Sequence, residues 1–578
     1  MRKSGCPVLA IAVMAACFVA RALAARPPYV GIWGIWGAET LSTEGRPWLK
    51  GTLVARRWEH IEPENGRFDF SVLDSAFEAA VSNGYPFLMF KIYGGSKTPR
   101  WAYENGVPEV KTDSPTPGRR NYPFYLDPEF KFFFKRMTRA VAAHVKAYPP
   151  EIRNRIIAVQ CPIGKSGDGN FYHGKPVDPR YNMSREQTIA YQKEMFAAYC
   201  DAYRDTDPPI VPLLNPGYVH EWLKANYPHT WRKYSFAAHA YQHHKVLKRM
   251  KSLIREATQY QDGWAMLVRD ECSNQGAGHW REAPIWNNYW TLLHALHWGV
   301  DFVNMLRHSF EKPDAEHIAA FEWFNRYAGV HHPSESPGAW IALRDGLDAA
   351  RSSRFPESVY GEFELAVGGG GKKYRTGANR QRYLNIAKAF AAYGARQGDN
   401  SMPMGMVRTQ HIKKMNDVAW QCVPGNFHMY LRQHDPLGTS QGWWRVGSKD
   451  QRFGRFARGF NHAKGWDAMY FDLDDGFFTD RPAAGQTINV RVVYFDQGTG
   501  TWQLQYDAVG DAQKTAFTVT KADSGQWKEK IVRLTDAWLG NRCPNKTDFV
   551  LASADDEDDI FHMIEVTRDA ALPQPKED

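Results

Sequence analysis

The chain is 578 residues long, more than one ordinary hydrophobic core organises, so two or three domains are expected. Hydrophobic residues at 43% and charged residues at 23% exclude broad disorder, and beyond the N-terminus no stretch is long and apolar enough to span a bilayer. The net charge of +9 is spread along the chain; it suits a polyanionic partner or a plain solvated surface and points to no nucleic acid.

The first element is a processing signal. Arg2 and Lys3 precede an apolar run from Pro7 to Ala20, and Ala22-Leu23-Ala24 supplies small residues for cleavage. This predicts a secretory signal peptide over 1–24 and a secreted or periplasmic mature chain. A lipid anchor at Cys17 is the alternative, weakened because the apolar run continues past that cysteine. Cleavage leaves five widely spaced cysteines, which make no disulfide framework. No CxxC pair suggests a metal site.

From Tyr29 to about Phe310, short apolar runs alternate with amphipathic stretches. Eight strands are predicted: 29–36, 51–57, 87–93, 156–163, 210–214, 235–241, 264–269 and 301–306. Helices fall between them at 71–83, 129–147, 185–203 and 285–298, and several close on turn signals such as Asn83-Gly84 or Gly299. Eight such units predict a (β/α)8 barrel over 25–330; the rival doubly wound sheet lacks a GxGxxG after its first strand.

A last helix, 315–327, leads into His331-His332-Pro333-Ser334-Glu335-Ser336-Pro337-Gly338, the expected domain boundary. Beyond it come short strands at 339–343, 427–431, 443–446, 468–473, 487–495, 502–508, 515–520 and 527–533, the spacing of an antiparallel β-sandwich over 338–578. The glycine run Gly368–Gly371 lacks the Lys-Ser/Thr ending of a phosphate loop, so no nucleotide or other cofactor is expected.

In a barrel of this kind, catalytic groups stand at the C-terminal ends of the strands. The second strand ends in Arg56-Arg57-Trp58 and runs through Ile61-Glu62-Pro63 to Gly66-Arg67-Phe68-Asp69-Phe70 and Leu73-Asp74. This passage resembles clan A glycoside hydrolases, notably the family 42 β-galactosidases and related polysaccharide hydrolases. The resemblance covers roughly residues 28–330. It implies a carboxyl acid/base after the fourth strand and a nucleophile at the end of the seventh.

On that resemblance Glu271, closing Val268-Arg269-Asp270-Glu271, is the expected nucleophile. The fourth strand departs from the pattern. Where many clan members carry Asn-Glu, this chain has Gln160-Cys161-Pro162-Ile163-Gly164-Lys165-Ser166-Gly167-Asp168, and Asp168 is the nearest carboxyl able to serve as acid/base. An Asp stabilising a glycine-rich turn is the plainer reading of that residue.

Arg57 at the cleft floor is expected to help keep Glu271 ionised. Lys91, Tyr93, Asn215, His239, Tyr241 and, in a Gly-rich loop, Trp280 are expected to contact substrate; Trp286 is expected to pack within its helix. The His239-x-Tyr241 pair also resembles the clan. Asp472, Asp474 and Asp475 read as a solvated turn before a calcium site. Trp443, Trp444 and Trp466 offer either an aromatic platform for sugar or packing surface against the barrel, with packing preferred.

Together these residues predict a retaining glycoside hydrolase acting on a β-linked, galactose-containing poly- or oligosaccharide, with a sulfated or otherwise anionic one a further fit to the charge. The alternatives are a carbohydrate-binding protein on a degenerate barrel, favoured by the missing Asn-Glu, and a polysaccharide lyase. Sugar identity, linkage and oligomeric state are not written in these motifs.

Overall fold

The computed structural model describes residues 27–116, 118–165, 171–215, 217–233, 269–271, 283–297, 299–345, 351–362, 377–395 and 425–568, with backbone alone at 233, 269–271, 287, 377–380 and 383. Eight parallel strands form the first sheet: β1 (Gly31–Ile35), β2 (Leu49–Arg57), β3 (Phe87–Tyr93), β4 (Ile156–Gln160), β5 (Val211–Leu214), β6 (Arg232–Lys233), β7 (Arg269–Glu271) and β8 (Phe302–Leu306). Their order is β6-β5-β4-β3-β2-β1-β8-β7. Ile35 of β1 pairs with Leu53 on one side and Leu306 of β8 on the other, so the last strand returns to the first. An open doubly wound sheet does not do this; a (β/α)8 barrel does.

Alternate residues of the strands fill the barrel. Trp33, Ile35, Leu53, Met89, Ala158, Val211, Leu213 and Phe302 form one interior cluster. Gly51 makes room for the largest of them, since a Cβ there would fall 2.5 Å from the Trp33 ring. Strand β4 stops at Gln160, short of the expected Ile163. Cys161 still donates to Leu213 O at 3.1 Å, but Pro162 has no N–H to continue the ladder. The expected sixth strand, 235–241, lies outside the described residues, and the described β6 precedes it.

Helices α1 (Ser71–Ser82), α2 (Pro128–Lys146), α3 (Arg185–Tyr203), α4 (Pro284–His297) and α5 (Ala315–Tyr327) cover the sheet. Their starts are written locally. Asp127 accepts from Phe130 N ahead of Pro128, Ser184 and Gln187 form a reciprocal capping box, and Asp314 accepts from His317 N.

The second sheet is antiparallel and builds the β-sandwich. Its strands are β9 (Gly338–Ala342), β10 (Phe427–Met429), β11 (Leu431–Gln433), β12 (Gln441–Trp443), β13 (Ala457–Gly459), β14 (Ala468–Leu473), β15 (Gln486–Asp496), β16 (Thr501–Ala508), β17 (Asp511–Thr520), β18 (Gln526–Ala537), β19 (Phe549–Ser553) and β20 (Ile560–Arg568). Four of them, β11, β13, β19 and β20, were not expected as separate strands. β20 pairs with β9, β15 and β13 and is buried almost throughout, so it lacks the apolar–polar alternation of a one-faced strand.

Barrel and sandwich share a continuous core in which Trp290, Trp323, Trp340, Phe427 and Phe456 meet. Trp286 does more than pack within α4: its Nε1 donates to Ser448 O at 2.9 Å and Gln451 O at 3.0 Å on the sandwich. Tyr289 Oη lies 2.9 Å from His562 Nε2 of β20. Trp444 is fully buried, and Lys464 lies 4.6 Å from the centroid of Trp466, so these tryptophans are taken up in packing more than in an open platform. Asp474 caps Gly476 N at 2.9 Å and Asp475 pairs with Arg481 at 3.0 Å, the work of a turn.

Candidate active site

The C-terminal ends of adjacent strands bring several expected residues together. Register places Ala55 beside Lys91 and Arg57 beside Tyr93 on the interior-facing rows of β2 and β3. Lys91 is 1% exposed, with its ammonium 4.6 Å from the Tyr93 ring centroid. Arg57 sits at the rim and not on the floor: its side chain is half exposed and pairs with Glu59 at 3.2 Å. Asn215 follows β5, partly buried. Glu271 closes β7, its backbone in register with Asn304, a buried residue of β8. Asp168, His239, Tyr241 and Trp280 lie outside the described residues.

The loop that carries Asp168 springs from a well-anchored base. Ile163 O accepts from Tyr191 Oη at 2.8 Å, and Lys165 Nζ lies 3.5 Å from His173 Nδ1 across the loop's two ends. Gly95, at φ 61°, lets the β3 exit pass this base; a Cβ there would stand 2.9 Å from Gly164 O. Burial raises the phenol pKa values of Tyr125, Tyr172 and Tyr191 beside it, so these hydroxyls stay neutral.

The family-like passage after β2 proves to be scaffolding. Glu62 is fully buried; it accepts from Trp58 Nε1 at 2.9 Å and Gly66 N at 3.0 Å and pairs with Arg136 of α2. Arg136 in turn lies against the rings of Phe68, Trp101, Phe132 and Phe133. Asp69 accepts from Ser71 N at 2.9 Å, and Asp74 accepts from Tyr148 Oη at 2.5 Å and contacts His144 Nε2 at 2.6 Å. These contacts lock the β2–α1 loop to α2.

The family model described as β-galactosidase, glycoside hydrolase family 42, matches residues 51–153. The resemblance to clan A glycoside hydrolases is borne out over that segment. It covers β2, β3 and α2 and stops short of β4 and β7. No curated protein sequence matches the chain.

Similar solved structures include a family 39 glycoside hydrolase from the gut symbiont Bacteroides cellulosilyticus WH2, at 12% identity and TM-score 0.30 over 51% of this chain and 61% of that one. A Bacteroidetes-affiliated GH5 cellulase linked with a polysaccharide utilization locus matches at 10% identity and TM-score 0.32 over 48% and 82%. TmCBM61, solved with β-1,4-galactotriose, matches at 12% and 0.16 over 24% and 88%. The chain thus spans about three-fifths of the length of the first of these.

One mouth residue was missed. Trp36 directly follows β1, is 47% exposed and holds a left-handed backbone at φ 54°, a conformation bulky residues rarely adopt. The predicted first strand runs through Trp36 and gives it no role of its own. The Trp36-Gly37 step at the strand's end was the available signal.

Proposed function

We propose that this protein is a retaining glycoside hydrolase of a β-linked, galactose-containing poly- or oligosaccharide, with Glu271 as nucleophile and Asp168 as acid/base. The observation that carries it is a carboxylate residue ending β7 of a closing parallel barrel, two strands from β1. The family match over 51–153 supports the same clan. In this reading Glu271 attacks the anomeric carbon while Asp168 protonates the departing oxygen. Asp168 then removes a proton from the water that releases the glycosyl–enzyme. Lys91, Tyr93, Asn215, His239, Tyr241 and Trp280 hold the sugar, with Arg57 and Trp36 at the rim.

The remainder of the reading is organisational. Residues 1–24 are a signal peptide, 25–330 the catalytic unit and 338–578 a sandwich that braces it. The buried seam at Trp286, Tyr289 and His562 supports bracing over sugar capture. Among the described residues no helix is long and apolar enough to cross a membrane.

The test is turnover on a panel of galactans and other β-glycans, with the product's anomeric configuration followed by NMR. Glu271→Gln should lower kcat by on the order of 10⁴-fold and Asp168→Asn by about 10²–10⁴-fold. An inverted product removes the nucleophile role from Glu271. If wild type binds glycans and neither substitution matters, the chain is a carbohydrate-binding protein; an unsaturated product absorbing in the ultraviolet marks a lyase.

A further inference from the structure

Lys91 is a buried cation of an unusual kind for this molecule. At 1% exposure it has given up nearly all of its hydration. No carboxylate forms a salt bridge with it among the described residues, and its ammonium faces the Tyr93 ring at 4.6 Å. Elsewhere the fold matches such groups: Lys521, 1% exposed at its side chain, meets Asp559 at 2.8 Å, and Arg491, 11% exposed, meets Glu565 at 2.6 Å. A ring face replaces only a fraction of the hydration an ammonium loses. Among the described residues the group is therefore left short of negative charge.

Its place says where that charge would come from. Lys91 lies on the interior-facing row above Met89, at the C-terminal end of β3 where a barrel receives its ligand. Arg57 stands on the neighbouring strand, beside Tyr93, with its side chain half exposed at the rim and paired with Glu59 at 3.2 Å. A neutral sugar would offer these two cations hydroxyls alone. A carboxylate or sulfate ester would offer oxygens that are strong acceptors and carry the missing charge.

We propose that Lys91, seconded by Arg57, recognises an anionic substituent, a carboxylate or a sulfate ester, on the sugar bound in the barrel. The proposal rests on reading the barrel mouth as a glycoside-binding cleft. In the free protein the cation is held ready; in the complex it gains its partner.

The experiment measures binding by the full mature chain of three probes: carrageenan, the same polymer after solvolytic desulfation, and polygalacturonate. Wild type should prefer one anionic probe to the desulfated one, and the preferred arm identifies sulfate or carboxylate. Lys91→Met should reduce that anionic-to-neutral ratio by about 10²-fold, and rising salt should erode the wild-type preference.

The thermal midpoint is the second reading. A cation waiting for a ligand is no loss to the free fold, so Lys91→Met should hold or raise Tm; a marked fall would give Lys91 a structural partner and overturn the proposal. A ratio left within twofold, with glycan binding intact, overturns it while leaving the hydrolase reading standing. If no glycan is bound by any variant, both fall.

Discussion

The sandwich seam and the barrel mouth treat buried charge in opposite ways. At the seam, Glu565 is fully buried yet contacts Arg491 at 2.6 Å, Arg326 at 3.4 Å, Trp323 Nε1 at 3.3 Å and the Tyr327 hydroxyl. Burial alone would raise its pKa, but the neighbouring Arg491 and Arg326 charges outweigh it and hold the carboxyl below its usual value. Asp345 is handled likewise by Arg354 at 2.8 Å and Arg458 at 3.7 Å. At the mouth, Lys91 has a tyrosine face. Charge completed by the protein serves the fold; charge left incomplete at a strand end is available to a ligand.

The largest expected effect on stability tests the first half of that contrast. Glu565→Ala leaves Arg491 with Glu529 alone, at 3.2 Å, and takes the carboxylate from Arg326; removing one partner of a buried pair costs about 3–5 kcal/mol. Denaturant unfolding of the full chain should show that loss. A change below about 1 kcal/mol would mean the seam's charges are as loosely matched as the mouth's, and the contrast would collapse.

How far the sequence reached follows the same division. Barrel strands buried from both sides read as continuous apolar runs, and helices announced themselves through Asp127-Pro128, Ser184 with Gln187, and Asp314. The most family-like passage was legible because Glu62, Asp69 and Asp74 each have a fixed structural task, and for that reason it reported the clan and not the chemistry. β20 was hidden because His562 and Glu565, polar residues in an apolar run, take partners from distant elements: Tyr289 of α4 for His562, Tyr327 of α5 and Arg491 of β15 for Glu565. Trp36 was hidden by a strand boundary, one residue being the difference between barrel filling and barrel rim.

Acid should weaken the seam next. Burial lowers the pKa of His297 to about 4 and of His562 to about 3, and pushes His428 below its ordinary value too. These groups stay neutral when folded and accept protons near pH 6.5 when unfolded. Their stabilisation is therefore present above about pH 6.5 and declines as pH falls from there toward the folded values. His331 runs the other way. Burial opposes its charge, yet Asp301 at 2.6 Å raises its pKa, so its contribution is full below about 6.5 and lost as pH rises through the folded value. Burial lowers His294 in the same way, while Asp548 and Asp559, which burial raises to about 6, act alongside His331; the balance should be a drop of roughly 1 kcal/mol between pH 7 and 6. His562→Phe should shrink the drop; a flat profile would show that these imidazoles are reached by water.

The smallest effect separates two tryptophans three residues apart. Trp33 is fully buried and fills the barrel, whereas Trp36 is 47% exposed at its rim. Trp33→Ala opens a cavity and should cost about 3–5 kcal/mol of stability. Trp36→Ala removes no core, and because alanine at φ 54° is strained as tryptophan is, stability should stay within about 0.5 kcal/mol. What Trp36→Ala should cost is a stacking face for a sugar ring, about 1 kcal/mol or roughly a fivefold rise in KM with kcat held. A KM unmoved by Trp36→Ala would return that ring to the class of incidental surface aromatics, and its left-handed backbone would need another reason.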